Sequence, residues 1–163
     1  MTHKEKEAKT AASALLSDTK SLMGACPPVN LGVICKHLGI EVYTMPCASF
    51  GAVFSRTDAG GRILVNLNLK PGRFRFSIAH ELGHFTLNHR PSFMLADDML
   101  IQGDIGLERQ ADIFASELLL PEALLRSDLR RGGFSVAELA KRYKVSQQAL
   151  EIKLRALSAR AVP

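Results

Sequence analysis

The string His80-Glu81-Leu82-Gly83-His84 limits the fold of this chain more than any other feature. Residues four apart lie on one face of a helix, because four steps of about 100° overshoot a full turn by only ~40°. Two imidazoles so placed can grip one divalent zinc, while the carboxylate between them reaches a water on the metal. Gly83 inside that helix costs about 1 kcal/mol against alanine. Close approach of a second helix would explain it, as would tolerated sequence drift. A second helical pattern follows at 108–121, ERQADIFASELLLP, ended by Pro121. Here Glu108 and Asp112 are again four apart. A catalytic zinc wants three protein ligands and an open position, so Glu108 is the natural third ligand. Should it not serve, the acids left to consider are Asp97, Asp98, Asp104 and Asp112. Asp112, one turn beyond Glu108, can accept the free ring N–H of a zinc-bound histidine and fix its tautomer.

HELGHFTLNH at 80–89, followed by ERQADIFASELLLP, closely resembles the ImmA/IrrE family of metallo-endopeptidases, with its gluzincin-like pattern HExxH…ExxxD. The likeness extends upstream. PPVNLGVICKHLGIEVYTMP at 27–46 resembles that family's opening helix and first strand, and residues 50–84 its hairpin leading into the active-site helix. The resemblance implies that His80 and His84 are zinc ligands, Glu81 the general base, Glu108 the third ligand and Asp112 its supporting residue. Members often carry Asn where this chain has Asp112, and either residue accepts a hydrogen bond. The resemblance further implies a small zincin-like peptidase core and a helix-turn-helix repressor as the protein substrate.

With 163 residues, the chain is long enough for one domain with a small appendage, and can bury a core without staples. Its apolar share of 47% and charged share of 23% suit a soluble globular protein. Cys26, Cys35 and Cys47 form no C-x-x-C pair, which argues against cysteine metal ligands and for reduced thiols. The N-terminus lacks the apolar core of a signal peptide, and no run of apolar residues is long enough to span a membrane. Both point to the cytoplasm. The net charge of +5 is unevenly spread. Residues 125–163 carry nine basic side chains against three acidic, whereas 91–124 hold seven acids and only Arg109 as a base. Acid thus gathers near the proposed metal site, and the basic tail suits an acidic partner, nucleic acid or solvent.

The expected fold is α+β: a three-stranded sheet packed on helices, followed by a helix-turn-helix-like segment. We divide the chain into an N-terminal helix (1–25), a metallopeptidase core (26–122) and a helical C-terminal segment (123–163). Asn30 is placed to cap a short helix that stops at Gly39. Ile40–Tyr43 suits a strand. Phe50–Arg56 and Arg62–Leu67 are β-patterned runs joined by Thr57–Gly61. Pro71-Gly72 breaks the chain before the metal helix, expected over roughly 73–88. Residues 91–105 read as a loop beside the site, with a helical turn at Met94–Leu100. In the tail, two short helices meet at Tyr143–Val145, with Ser146 capping the second. Val136, Leu139, Ala140, Tyr143 and Val145 supply the apolar side of the first, and Leu150, Leu154 and Leu157 that of the second. Gln147, Gln148, Lys153 and Arg155 are polar groups a DNA reader would use, but Glu151 among them would repel phosphate. Packing or substrate docking is therefore the favoured role of this segment.

The chemistry expected is hydrolysis of a peptide bond, with zinc lowering the pKa of its water and Glu81 taking the proton. Manganese or iron could replace zinc, since affinity order alone does not settle metal choice. Tyr43, His89 and His37 are candidates to stabilise the oxyanion. His89 is five residues beyond His84, about 140° round a continuing helix, and so is not expected as a fourth ligand. The other reading is a zinc-containing regulatory protein that binds a repressor or DNA without hydrolysis. An intact Glu81 favours the enzyme, because a binder needs no base.

Overall fold

The computed structural model describes residues 2–24, 27–46, 49–89 and 104–159. Thr2 opens α1 (His3–Met23) with a capping box in which its hydroxyl accepts from Glu5 N and the Glu5 carboxylate accepts from Thr2 N. Ala8, Ala12, Leu15 and Thr19 form the buried stripe of this helix. Asn30 caps α2 (Leu31–His37) as expected, its Oδ1 accepting from Val33 N at 3.3 Å, and Gly39 at φ +66° ends the turn that follows.

The sheet holds β1 (Ile40–Met45), β2 (Ala52–Thr57) and β3 (Gly60–Asn66) in the order β1-β3-β2. β1 runs parallel to β3, and β2 antiparallel to it. Thr57 pairs with Gly60, so the turn is only Asp58-Ala59 and both glycines belong to β3. The sequence had placed them in the loop. They are glycines for another reason: Gly60 sits at φ +144°, and a Cβ there would overlap the Gly39 carbonyl.

Pro71 does not precede the metal helix but begins it, as the first residue of α3 (Pro71–Thr86). A first-turn N–H has no partner within the helix, so proline loses nothing there. α4 (Ile105–Leu119) starts on Asp104, whose Oδ1 accepts from Gly106 N at 2.8 Å. The turn expected at Met94–Leu100 lies outside the described residues, as do Asp97 and Asp98. α5 (Glu122–Arg131) was not anticipated. Its signals were present: Pro121 before it, Arg130 and Arg131 in its last turn and Gly132 after it. α6 (Val136–Tyr143) and α7 (Gln147–Ser158) form the expected helix-turn-helix-like unit, with Ser146 Oγ accepting from Ala149 N at 3.1 Å. Val136 departs from its expected apolar role and is exposed.

Two apolar clusters organise this α+β fold. Phe54, Ile63 and Val65 from the sheet meet Ile34, Leu82, Phe114 and Leu118 in the first. Leu120, Leu125, Leu139, Tyr143, Leu150 and Leu157 form the second, and Val145 packs against both. A buried ion pair joins the clusters, Lys153 Nζ of α7 lying 2.7 Å from Glu117 Oε2 of α4. Among the described residues no helix is long and apolar enough to cross a membrane.

Candidate metal centre

The site forms where α4 crosses α3. A Cβ built on Gly83 would lie 3.1 Å from Ala111 Cα and 3.2 Å from Phe114 Cβ, so the two helices touch where one has no side chain. This is the close approach the glycine had suggested. It brings the 108/112 face of α4 over the 80/84 face of α3.

The four side chains then interlock. His80 Nε2 lies 3.1 Å from Glu108 Oε2, and His84 Nε2 3.3 Å from Glu108 Oε1. The two Nε2 atoms are 3.0 Å apart. One donor atom from each of His80, His84 and Glu108 falls within 4.8 Å of the others, a spacing that can hold a metal ion. Behind the ring of His80, Asp112 Oδ1 sits 2.9 Å from Nδ1. An ionised carboxylate there keeps the His80 proton on Nδ1, leaving a lone pair on Nε2. That lone pair faces the second imidazole nitrogen and an acidic oxygen. Such a cluster of electron-pair donors is satisfied by one cation placed between them, so the residues fit the group. Behind His84, the partner is another ring: His89 Nδ1 lies 3.0 Å from His84 Nδ1.

Electrostatics separates the roles further. Glu81 is buried, and burial pushes its carboxyl up to about 7, with Glu108 adding to the rise and His80 opposing it. Burial also acts to lower His80, but Asp112, Glu81 and Glu108 outweigh it and hold the ring above its usual value. His84 moves the other way, lowered by burial and by its neighbour His80. The cleft in front of these groups is rimmed by Gly51 and Ala52 at the start of β2 and by Arg73, Phe76 and Ser77 of α3. None of the three groups weighed for the oxyanion is in its lining: His89 lies behind His84, against its Nδ1. Tyr43 is on β1 with its hydroxyl donating to Glu41 Oε2 at 3.0 Å, and His37 is in the last turn of α2. The donors that do line the cleft are Arg73 and Ser77, which the sequence reading had passed over.

Residues 35–155 match the model of the IrrE N-terminal-like domain. The chain belongs to this family. It is 30% identical over 127 residues to Metallopeptidase ImmA of Bacillus subtilis, covering 77% of this chain and 75% of that protein. It is 31% identical over 143 residues to Radiation response metalloprotease IrrE of Deinococcus radiodurans, covering 79% of this chain and 37% of the relative. The Deinococcus deserti protein of the same name is 33% identical over 114 residues, 62% of this chain and 37% of its own. The chain therefore spans three quarters of ImmA and little more than a third of the IrrE proteins. It is a metallopeptidase by family, and a metal ion and a protein substrate go with that membership.

Proposed function

We propose that the chain is a zinc endopeptidase of narrow specificity, acting in the cytoplasm on a regulatory protein such as a helix-turn-helix repressor. In this reading His80, His84 and Glu108 hold the zinc, and Glu81 is the general base. The observation that carries it is the convergence of those three side chains on one point beside a buried carboxylate. Manganese or iron would suit the same two imidazoles and carboxylate. A divalent cation held there supplies Lewis acidity and makes its water acidic enough to deprotonate near neutral pH. Glu81, raised to about 7 by burial, accepts the proton of the attacking water and returns it to the leaving amine. Asp112 holds His80 in the tautomer that presents Nε2. Arg73 and Ser77, on the cleft wall, are the donors available to the carbonyl oxygen.

β2 is an end strand of the sheet and its first residue rims the cleft, which suits a substrate bound extended along that edge. Confinement to one client would come from docking on the helical segment at 123–163, distinct from the peptidase core at 26–122. Arg130 and Arg131 of α5, Lys141 of α6 and Lys144 after it are exposed, with no ion-pair partner among the described residues. They would favour an acidic face on the client. Binding to DNA through α7 has less support. Lys153 is buried against Glu117, and Arg155 pairs at 3.9 Å with Glu151.

Two variants test the enzyme. Glu81→Gln should keep the metal and the fold but lose hydrolysis, because an amide cannot take the proton. Glu108→Ala should instead weaken the binding of the metal itself. Near wild-type cleavage by the first, or full metal occupancy in the second by elemental analysis, would remove the assigned roles. The proposed client is tested with a purified helix-turn-helix repressor beside casein: a single cut in the repressor is expected, and rapid digestion of casein would point to a general peptidase.

A further inference from the structure

Asn88 takes the left-handed conformation, φ 56°, just after α3 ends. Asn88 N then donates to Phe85 O at 3.2 Å and His89 N to His84 O at 2.9 Å. These two bonds define a Schellman C-cap, which folds the second residue beyond the cap back against the helix residue five positions before it. An apolar pair commonly fills that contact. Here it is filled by two imidazoles, His84 and His89, whose Nδ1 atoms are 3.0 Å apart and whose rings meet edge to face at 72°. His89 is only 7% exposed and His84 4%, so water has little access to this contact.

We infer that His89 is a positioning residue for the metal centre: it accepts the Nδ1 proton of His84 and so fixes the tautomer in which His84 Nε2 faces the metal. The chemistry allows one arrangement. If His84 binds through Nε2, its proton resides on Nδ1, 3.0 Å from His89 Nδ1. His89 can receive that proton only with a lone pair on its own Nδ1, which places its proton on Nε2. Each metal-facing imidazole then has a partner behind it, a carboxylate for His80 and a neutral imidazole for His84. The inference rests on the reading of His84 as a ligand.

The test is zinc affinity by chelator competition on purified metal-free protein. His89→Phe keeps a ring but removes the acceptor, and should weaken zinc binding about 10- to 100-fold. His89→Gln offers an amide oxygen to the same proton and should recover most of that loss. Equal losses in both variants would assign His89 to packing alone and overturn the inference, as would wild-type affinity in His89→Phe. A measurement on the wild type covers the case in which the variants do not fold. Nitrogen-15 NMR of the zinc-loaded protein should show His84 protonated at Nδ1 and His89 protonated at Nε2, and a proton on His89 Nδ1 would refute the role. His84→Ala separates the two levels. If it retains zinc, the ligand reading fails, whereas if it loses zinc and His89→Phe does not, only the role of His89 fails.

Discussion

At the scale of single residues, the two histidines of α3 differ in what stands behind them, and that difference can be measured. Asp112 faces His80 at 2.9 Å, but its side chain is 58% exposed, so solvent can replace part of what it does. We expect Asp112→Ala to lower metal affinity by about tenfold, the low end for a residue supporting a metal-bound histidine. Asp112→Asn keeps an oxygen acceptor and should stay within about threefold of wild type. An isothermal titration series in which alanine and asparagine behave alike would show that the hydrogen bond to His80 contributes nothing. The placing of His80, His84, Glu108 and Asp112 was legible in the sequence because each pair is separated by one helical turn, a local relation that survives any tertiary arrangement. His89 was not legible by the same means. Its expected position assumed that α3 continues, whereas the chain reverses at Asn88. Asparagine after a helix is itself a signal for such a reversal, and it was present in the sequence.

At the scale of elements, the metal centre depends on how closely α4 approaches α3. Alanine at position 83 would favour the helix by about 1 kcal/mol on propensity alone. Its methyl would sit 3.1 Å from Ala111 Cα and 3.2 Å from Ala111 O, and backbone atoms there can yield only if the whole of α4 moves. Overpacking of this kind costs about 1–3 kcal/mol, so the steric effect should win. Glu108, three residues before Ala111, would be carried away from the histidines. Gly83→Ala should therefore fold with a lower melting temperature and bind metal more weakly. A higher melting temperature with unchanged metal affinity would mean that the helices can separate without consequence. Elsewhere the same sort of long-range contact explains what the sequence concealed. Gly60-Gly61 read as turn residues, yet both pair within β3, Gly60 against the Gly39 carbonyl after α2 and Gly61 against the Phe85 ring of α3. Pro71 read as a break, although at the first position of α3 it is compatible with the helix.

At the scale of the whole molecule, charged side chains tie its N- and C-terminal helices to the core. Lys9 of α1 pairs with Glu122 of α5 and lies 3.9 Å from Glu117 of α4, which holds Lys153 of α7. Removing residues 125–163 would strip Leu120 of the apolar cluster around it and leave Glu117 without Lys153. Loss of activity on truncation would then report unfolding, and charge reversal at Arg130, Arg131, Lys141 and Lys144 is the cleaner probe of docking. The network also predicts an acid response. The Lys9 ammonium, against an opposing effect of burial and with help from Arg126, holds the Glu122 carboxyl down at about 2. A carboxyl whose folded value lies below its unfolded value stabilises the fold above the unfolded value and loses that contribution as pH falls through the folded one. The window therefore opens below about pH 5 and closes near pH 2. In metal-free protein, Glu122→Gln should melt below wild type at neutral pH, and the gap should close steadily as pH falls through that window. A gap that stayed constant down to pH 2 would show that Glu122 contributes through packing and hydrogen bonding, with its charge playing no part in holding α1 to α5.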